Sequence, residues 1–79
     1  MGRPKNKPKV PEITVSRLVW ANIRKIQYLQ GMTDESLASL IGCTERTLLN
    51  WDKSPEKITL NTLQLFCTGA GVQISNLFE

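Results

Sequence analysis

Seventy-nine residues, 41% of them hydrophobic, allow one small domain and exclude a chain that is disordered throughout. No apolar run approaches the roughly 18 residues of a membrane span, no apolar stretch of a signal peptide follows the basic N-terminus, and Asn6 stands where myristoylation needs Ser or Thr. The net charge of +3 is carried wholly by residues 1–10, which hold Arg3, Lys5, Lys7 and Lys9 and no acid, whereas residues 11–79 hold six basic and seven acidic residues.

Residues 1–12, MGRPKNKPKVPE, contain three prolines, a glycine and four cations with no hydrophobic period. Proline removes backbone donors and breaks helices, so the segment reads as a disordered or extended arm ahead of a domain at 13–79. Gly2-Arg3-Pro4-Lys5 looks like the core of an AT-hook, in which an extended arginine lies in a narrow A·T-rich minor groove. The motif spans three or four residues and lacks a basic residue before the glycine. A basic tail that adds only sequence-independent phosphate attraction fits the same residues, as does a tail with no role.

The spacing predicts helix 1 from about Thr14 to Gln30, with Val15, Leu18, Val19, Ile23, Ile26 and Leu29 or Gln30 on one face. Thr14 or Ser16 can start it. Trp20 and Tyr28 lie off that stripe, as padding at the rim of the core or as part of a dimer surface, where aromatics are enriched.

Thr33–Lys53, TDESLASLIGCTERTLLNWDK, reads as two short helices joined at Gly42. Thr33 can cap the first and Thr44 the second, each through a side-chain oxygen that accepts an early backbone N–H. Asp34 and Glu35, and then Glu45, sit in first turns, where the helix dipole favours negative charge. Leu37, Ala38, Leu40 and Ile41 give helix 2 its apolar face. Gly42 suits a left-handed cap. Leu48 and Trp51, three apart, point helix 3 at the core and leave Glu45, Arg46, Leu49, Asn50 and Lys53 mostly outward.

Helix 3 ends near Lys53, and Ser54-Pro55-Glu56-Lys57 reads as a loop. Helix 4 starts at a Thr59 cap, turns Leu60, Leu63, Leu65 or Phe66, and Cys67 inward, and ends at Gly69 and Gly71. A short helix 5 runs from Gln73 or Ile74 to Phe78 and carries Ile74, Leu77 and Phe78. Because it reaches the C-terminus, no effector-binding or oligomerisation domain is expected after it. Cys43 and Cys67, 24 apart with no histidine in the chain, exclude the usual zinc spacings and read as inert thiols in a reducing cytosol. With no histidine, no paired acids in an identifiable pocket and no phosphate-cradling loop, no enzyme, cofactor or metal is expected.

The residues from Ile23 to Phe78 resemble the helix-turn-helix of phage Cro and repressor proteins and their XRE-type relatives. The likeness rests on Ile23-Arg24, the Gly31-Met32-Thr33 turn, Leu37-Ala38 with Gly42 four residues on, Thr44, Leu48 and Trp51. It continues through Thr59-Leu60-Asn61-Thr62-Leu63, Gly71-Val72 and Leu77-Phe78. It implies an all-α, compact five-helix lambda-repressor-like domain with a flexible basic N-terminal arm. It also implies double-stranded DNA as partner, base contacts at Thr44, Glu45, Arg46, Leu49 and Asn50, and phosphate contacts at Lys53, Ser54, Lys57 and Asn61. Residue chemistry agrees: arginine pairs with guanine O6 and N7, asparagine with adenine N6 and N7, glutamate with a cytosine amino group, and leucine meets a thymine methyl.

The same likeness implies a transcriptional regulator of phage or prophage type, repressing by promoter occlusion as a homodimer in the bacterial cytoplasm, with no small-molecule effector. Leu77 and Phe78, with the loop before them, are the expected dimer surface. Two positions depart from the family. Asp34 replaces a frequent Gln, so the phosphate contact made there is expected to be lost. Gln27 and Asp52 replace an Arg–Glu ion pair, leaving Arg24 as a cation that can act from a different turn. The near-neutral body, with Asp34 and Glu45, also fits a protein-interaction module such as an antitoxin, anti-repressor or assembly partner.

Overall fold

The computed structural model describes residues 14–79. The arm predicted at 1–12, with Arg3, Lys5, Lys7 and Lys9, lies outside the described residues. Helix α1 spans Val15–Leu29, α2 Asp34–Ile41, α3 Glu45–Lys53 and α4 Leu60–Ala70. Single 3₁₀ helices occupy Pro55–Lys57 and Ile74–Phe78. No strand occurs among the described residues.

Four threonines start the four α-helices. Thr14, Thr33, Thr44 and Thr59 have extended backbones, and each side chain accepts the N–H three residues on: Arg17, Ser36, Thr47 and Thr62, at 3.0–3.2 Å. Each cap contributes about 1 kcal/mol against alanine. Gly42 closes α2 at φ 74° and Gly71 closes α4 at φ 73°, left-handed conformations that glycine adopts without a Cβ penalty. Gly69, expected to help end helix 4, instead lies inside it, where its missing side chain makes room for Leu40 of α2.

The expected fifth α-helix is not formed: the described residues hold four α-helices, and Ile74–Phe78 is a 3₁₀ helix. Five residues are too few to offset the cost of nucleating an α-helix. The tighter i+3 closure serves instead, with Asn76 N–H on the Gln73 carbonyl at 2.9 Å and Gln73 N–H on Asn76 Oδ1 at 3.0 Å. The segment is held from outside by fully buried Leu77, whose carbonyl accepts from Asn22 Nδ2 at 2.8 Å. Pro55, expected in a loop, starts the other 3₁₀ helix and is itself buried.

Ile23, Leu37, Leu48, Phe66 and Leu77 have no exposed surface, so every α-helix and the C-terminal segment send at least one side chain to one core. Each such burial is worth roughly 1.5–3 kcal/mol. The inward face of α1 is rotated from the one its apolar residues suggested. Val15 and Leu29 are exposed, whereas Trp20 is buried and joined by the polar Asn22 and Gln27. Leu60, expected inward, is exposed at the first position of α4.

Candidate nucleic-acid interface

Helix α3 is fixed on one side by Leu48, wholly buried, and by Trp51, whose ring meets Trp20 edge-on with centroids 5.4 Å apart. The opposite side is set by helical geometry. Arg46, Leu49, Asn50 and Lys53 stand at i, i+3, i+4 and i+7 and form one exposed stripe. Leu49, 55% exposed, is an apolar residue in the middle of it. Thr44 and Glu45 are exposed at the N-terminal end. The Thr44 hydroxyl accepts the Thr47 N–H and lies 3.1 Å from the Thr47 hydroxyl, so its first task is capping. Arg46 makes no ion pair among the described residues.

Lys53, Ser54 and Lys57 are exposed on the chain that leaves α3, and Asn61 is exposed in the first turn of α4. Ser54 Oγ donates to Glu56 at 3.0 Å. The structure thus brings Arg46, Leu49 and Asn50 of the candidate base-reading set onto one helix face, with Thr44 and Glu45 at its N-terminal end, and spreads the candidate phosphate-binding residues from the last residue of α3 to the first turn of α4.

A polar cluster beneath α3 sets its position. Arg24 of α1 donates through Nε to Asp52 Oδ1 at 3.1 Å and through Nη2 to Asp52 Oδ2 at 2.9 Å. Its Nη1 reaches Asp34 Oδ1 at 2.8 Å and Gln27 Oε1 at 2.7 Å. The Trp20 indole N–H donates to Asp52 Oδ1 at 2.7 Å, and the guanidinium carbon lies 5.3 Å from the Trp20 ring centroid, a cation–π distance. One arginine therefore ties the first residue of α2 and the last turn of α3 to α1. Arg17 adds a longer contact, Nη2 to the Lys53 carbonyl at 3.5 Å.

This cluster revises how the two departures from the family act. Gln27 and Asp52 form no ion pair, and Arg24, one turn earlier, supplies the cation for Asp52 and Asp34 alike. Asp34 is not simply a dipole residue. Gln27 Nε2 donates to it at 2.7 Å, and that bond, followed by the one from Arg24, holds its carboxyl below the usual range. Hydrogen bonding from Arg24 does the same for Asp52. Trp20 was missed as a partner because Asp52 lies 32 residues away. The detectable signal was that the departures bring in two acids, Asp34 and Asp52, while Arg24 is left as a cation one turn before Gln27.

Cys43 and Cys67 are free and half-buried, and burial pushes both thiols up, which suits inert packing groups. Leu77, expected on a dimer surface, is wholly buried, so only Phe78 of that pair is accessible. No group of three or more metal-ligating side chains is present, and no helix is long and apolar enough to cross a membrane, among the described residues.

Residues 22–79 match the family model of the Cro/C1-type HTH DNA-binding domain. No curated protein matches the chain. Solved structures similar to it include two of one protein. The crystal structure of CoII HppE in complex with substrate is 25% identical with a TM-score of 0.72, over 84% of this chain and 37% of that one. The crystal structure of FeII HppE in complex with substrate, form 1, is 25% identical with a TM-score of 0.70, over 81% of this chain and 36% of that one. This chain spans little more than a third of the length of those proteins.

Proposed function

Because this chain belongs to the Cro/C1-type HTH DNA-binding domain family, we propose that it is a sequence-specific regulator of transcription that places α3 in the major groove of double-stranded DNA. The observation that carries this reading is the exposed stripe of Arg46, Leu49, Asn50 and Lys53 on a helix anchored from behind by Leu48 and the Arg24 cluster. A rigid helix with a guanine-reading arginine, an adenine-reading asparagine and an apolar residue between them has the chemistry to tell base pairs apart. Thr44 and Glu45 complete the base-reading set, and Lys53, Ser54, Lys57 and Asn61 supply phosphate contacts. The arm residues Arg3, Lys5, Lys7 and Lys9 add electrostatic affinity.

One such helix offers three or four base contacts, so the working form is a homodimer on two half-sites about one helical turn apart. The regulator acts by promoter occlusion, as a phage or prophage repressor in a bacterial cytoplasm. It needs no cofactor or effector and is not an enzyme. The competing protein-interaction reading leaned on the near-neutral body with Asp34 and Glu45, but the Asp34 carboxylate is engaged by Arg24 and Gln27.

Selection and sequencing of duplexes bound from a random pool, at physiological salt, tests the proposal. A palindromic motif with half-sites one turn apart is expected. Binding without an enriched motif overturns sequence-specific readout and favours a protein partner.

A further inference from the structure

Arg17 and Arg24 stand on the same face of α1, with Trp20 between them. Their side chains are in opposite states. Arg24 is engaged through all three guanidinium nitrogens, by Asp52, Asp34 and Gln27. Arg17 is exposed and makes no ion pair among the described residues. Its one side-chain bond among them is the long contact from Nη2 to the Lys53 carbonyl, 3.5 Å. A guanidinium carries several N–H donors in a planar fork, so most of those on Arg17 are open to a ligand.

That single contact locates the open donors. Lys53 ends α3, and the chain then runs through Ser54 into the 3₁₀ helix Pro55–Lys57, which packs against α1. Arg17 therefore stands at the segment that carries the exposed Lys53 and Lys57. Residues 14–79 hold six basic and six acidic side chains, and three of the six bases gather here. The acid among them, Glu56, is turned to other donors. It accepts from Ser54 Oγ at 3.0 Å, and its own backbone N–H, then that hydroxyl, then the charge of Arg17 hold its carboxyl below the usual range.

We propose that Arg17 is a DNA phosphate contact, which takes the same stretch of sugar–phosphate backbone as Lys53 and Lys57 and brings α1 into the interface. The inference rests on the DNA-binding reading and adds a residue to it. A body with no net charge can hold a polyanion only where its cations are concentrated. The guanidinium fork matches two oxygens of a phosphodiester, and charge-assisted bonds of that kind are stronger than the long carbonyl contact they would replace. The Lys53 carbonyl, one of the oxygens left over at the end of α3, meanwhile keeps Arg17 beside the segment before DNA arrives. Such a contact fixes register and adds affinity but carries no sequence information.

The test measures affinity of the full chain for a selected duplex across a salt series, in wild type, Arg17→Gln and Arg17→Lys. Glutamine is close to arginine in helix propensity, and the Thr14 cap uses the backbone N–H of residue 17, so the variant keeps its fold. Arg17→Gln is expected to lower the slope of log affinity against log salt by about 0.9, and to weaken matched and single-base-mismatched duplexes by the same factor. Arg17→Lys keeps the slope, because an ammonium still neutralises a phosphate. A residue that only capped α3 would leave the slope alone and shift the selectivity between bases. An unchanged slope in Arg17→Gln, in a chain that binds duplex, overturns the proposal and leaves the DNA-binding reading standing. A second readout needs no variant: in wild type the Arg17 Nε–H resonance shifts when duplex is added, whereas that of the saturated Arg24 stays. An Arg17 resonance that does not move on bound duplex also overturns the proposal. A wild-type chain that binds no duplex overturns the DNA-binding reading and this inference with it.

Discussion

Arg24 and Asp52 face each other through two parallel hydrogen bonds, 3.1 and 2.9 Å long, across the junction of α1 and α3. The fork geometry belongs to arginine alone, since a lysine ammonium is a point charge with no planar pair of donors. Arg24→Met keeps the apolar stem, removes the charge and leaves two carboxylates facing one another. With side chains 23% and 41% exposed, solvent screens part of the interaction. Urea unfolding of Arg24→Met is expected to show a loss of about 1–2 kcal/mol, with Arg24→Lys recovering less than half.

The same cluster makes stability depend on pH in a definite direction. The folded chain holds the Asp34 and Asp52 carboxyls below their ordinary values, through Gln27 and Arg24 for the first and Arg24 for the second. Their contribution is therefore complete above the unfolded carboxylate range, near pH 4, and is lost as pH falls through the lowered values. Melting temperatures taken from about pH 6 to pH 2 should fall more steeply for wild type than for an Asp34→Asn, Asp52→Asn double variant. Equal slopes would show that these two carboxylates do not carry the acid sensitivity.

Gly69 is a packing position. A Cβ there would stand 2.6 Å from Leu40 Cγ and 2.9 Å from Leu40 Cδ2. Alanine favours a helix interior by about 1 kcal/mol, but overpacking of this kind costs about 1–3 kcal/mol, so Gly69→Ala is expected to be mildly destabilising. Adding Leu40→Ala removes the obstruction. Thermal melts of the four chains in that cycle should show the two changes costing less together than the sum of each alone.

On DNA, Arg46 and Lys57 should separate by kind of effect. Arg46→Gln is expected to cost about 1–3 kcal/mol on the selected duplex and to relax one base position. Lys57→Gln should weaken all duplexes alike and lower the slope of log affinity against log salt by about 0.9. Competition binding against single-base variants, repeated over a salt series, measures both.

Deleting residues 2–10 should lower that salt slope by up to about 3.6, if all four arm cations neutralise phosphates. A further loss confined to A·T-rich flanks would assign Arg3 to the minor groove. Titrations on duplexes that differ only in their flanks distinguish the two.

Local chemistry made most of the scaffold readable from sequence. The capping threonines at 14, 33, 44 and 59, and glycines 42 and 71, act within a few residues of themselves, and each occurs where its type implied. The outward stripe of α3 was readable for the same reason, because Leu48 fixes the rotation of so short a helix. Contacts between distant residues were not. Trp20 enters the core because Asp52 accepts its indole N–H, and Asn22 and Gln27 are buried because they meet Leu77 and the Met32 turn. An apolar pattern found Val19, Ile23 and Ile26 of the inner face of α1 but not Asn22 and Gln27 beside them. Leu60 failed in the opposite sense: hydrophobic by type, it is held outward by its place in the first turn.

The perpendicular approach of Trp20 and Trp51 has an optical consequence. Two indoles this close, at 77° to one another, couple their electronic transitions, and one belongs to α1 and the other to α3. Any tilt of α3 against its support must change that coupling. The molecule thus carries an unlabelled exciton gauge of how α3 sits on α1.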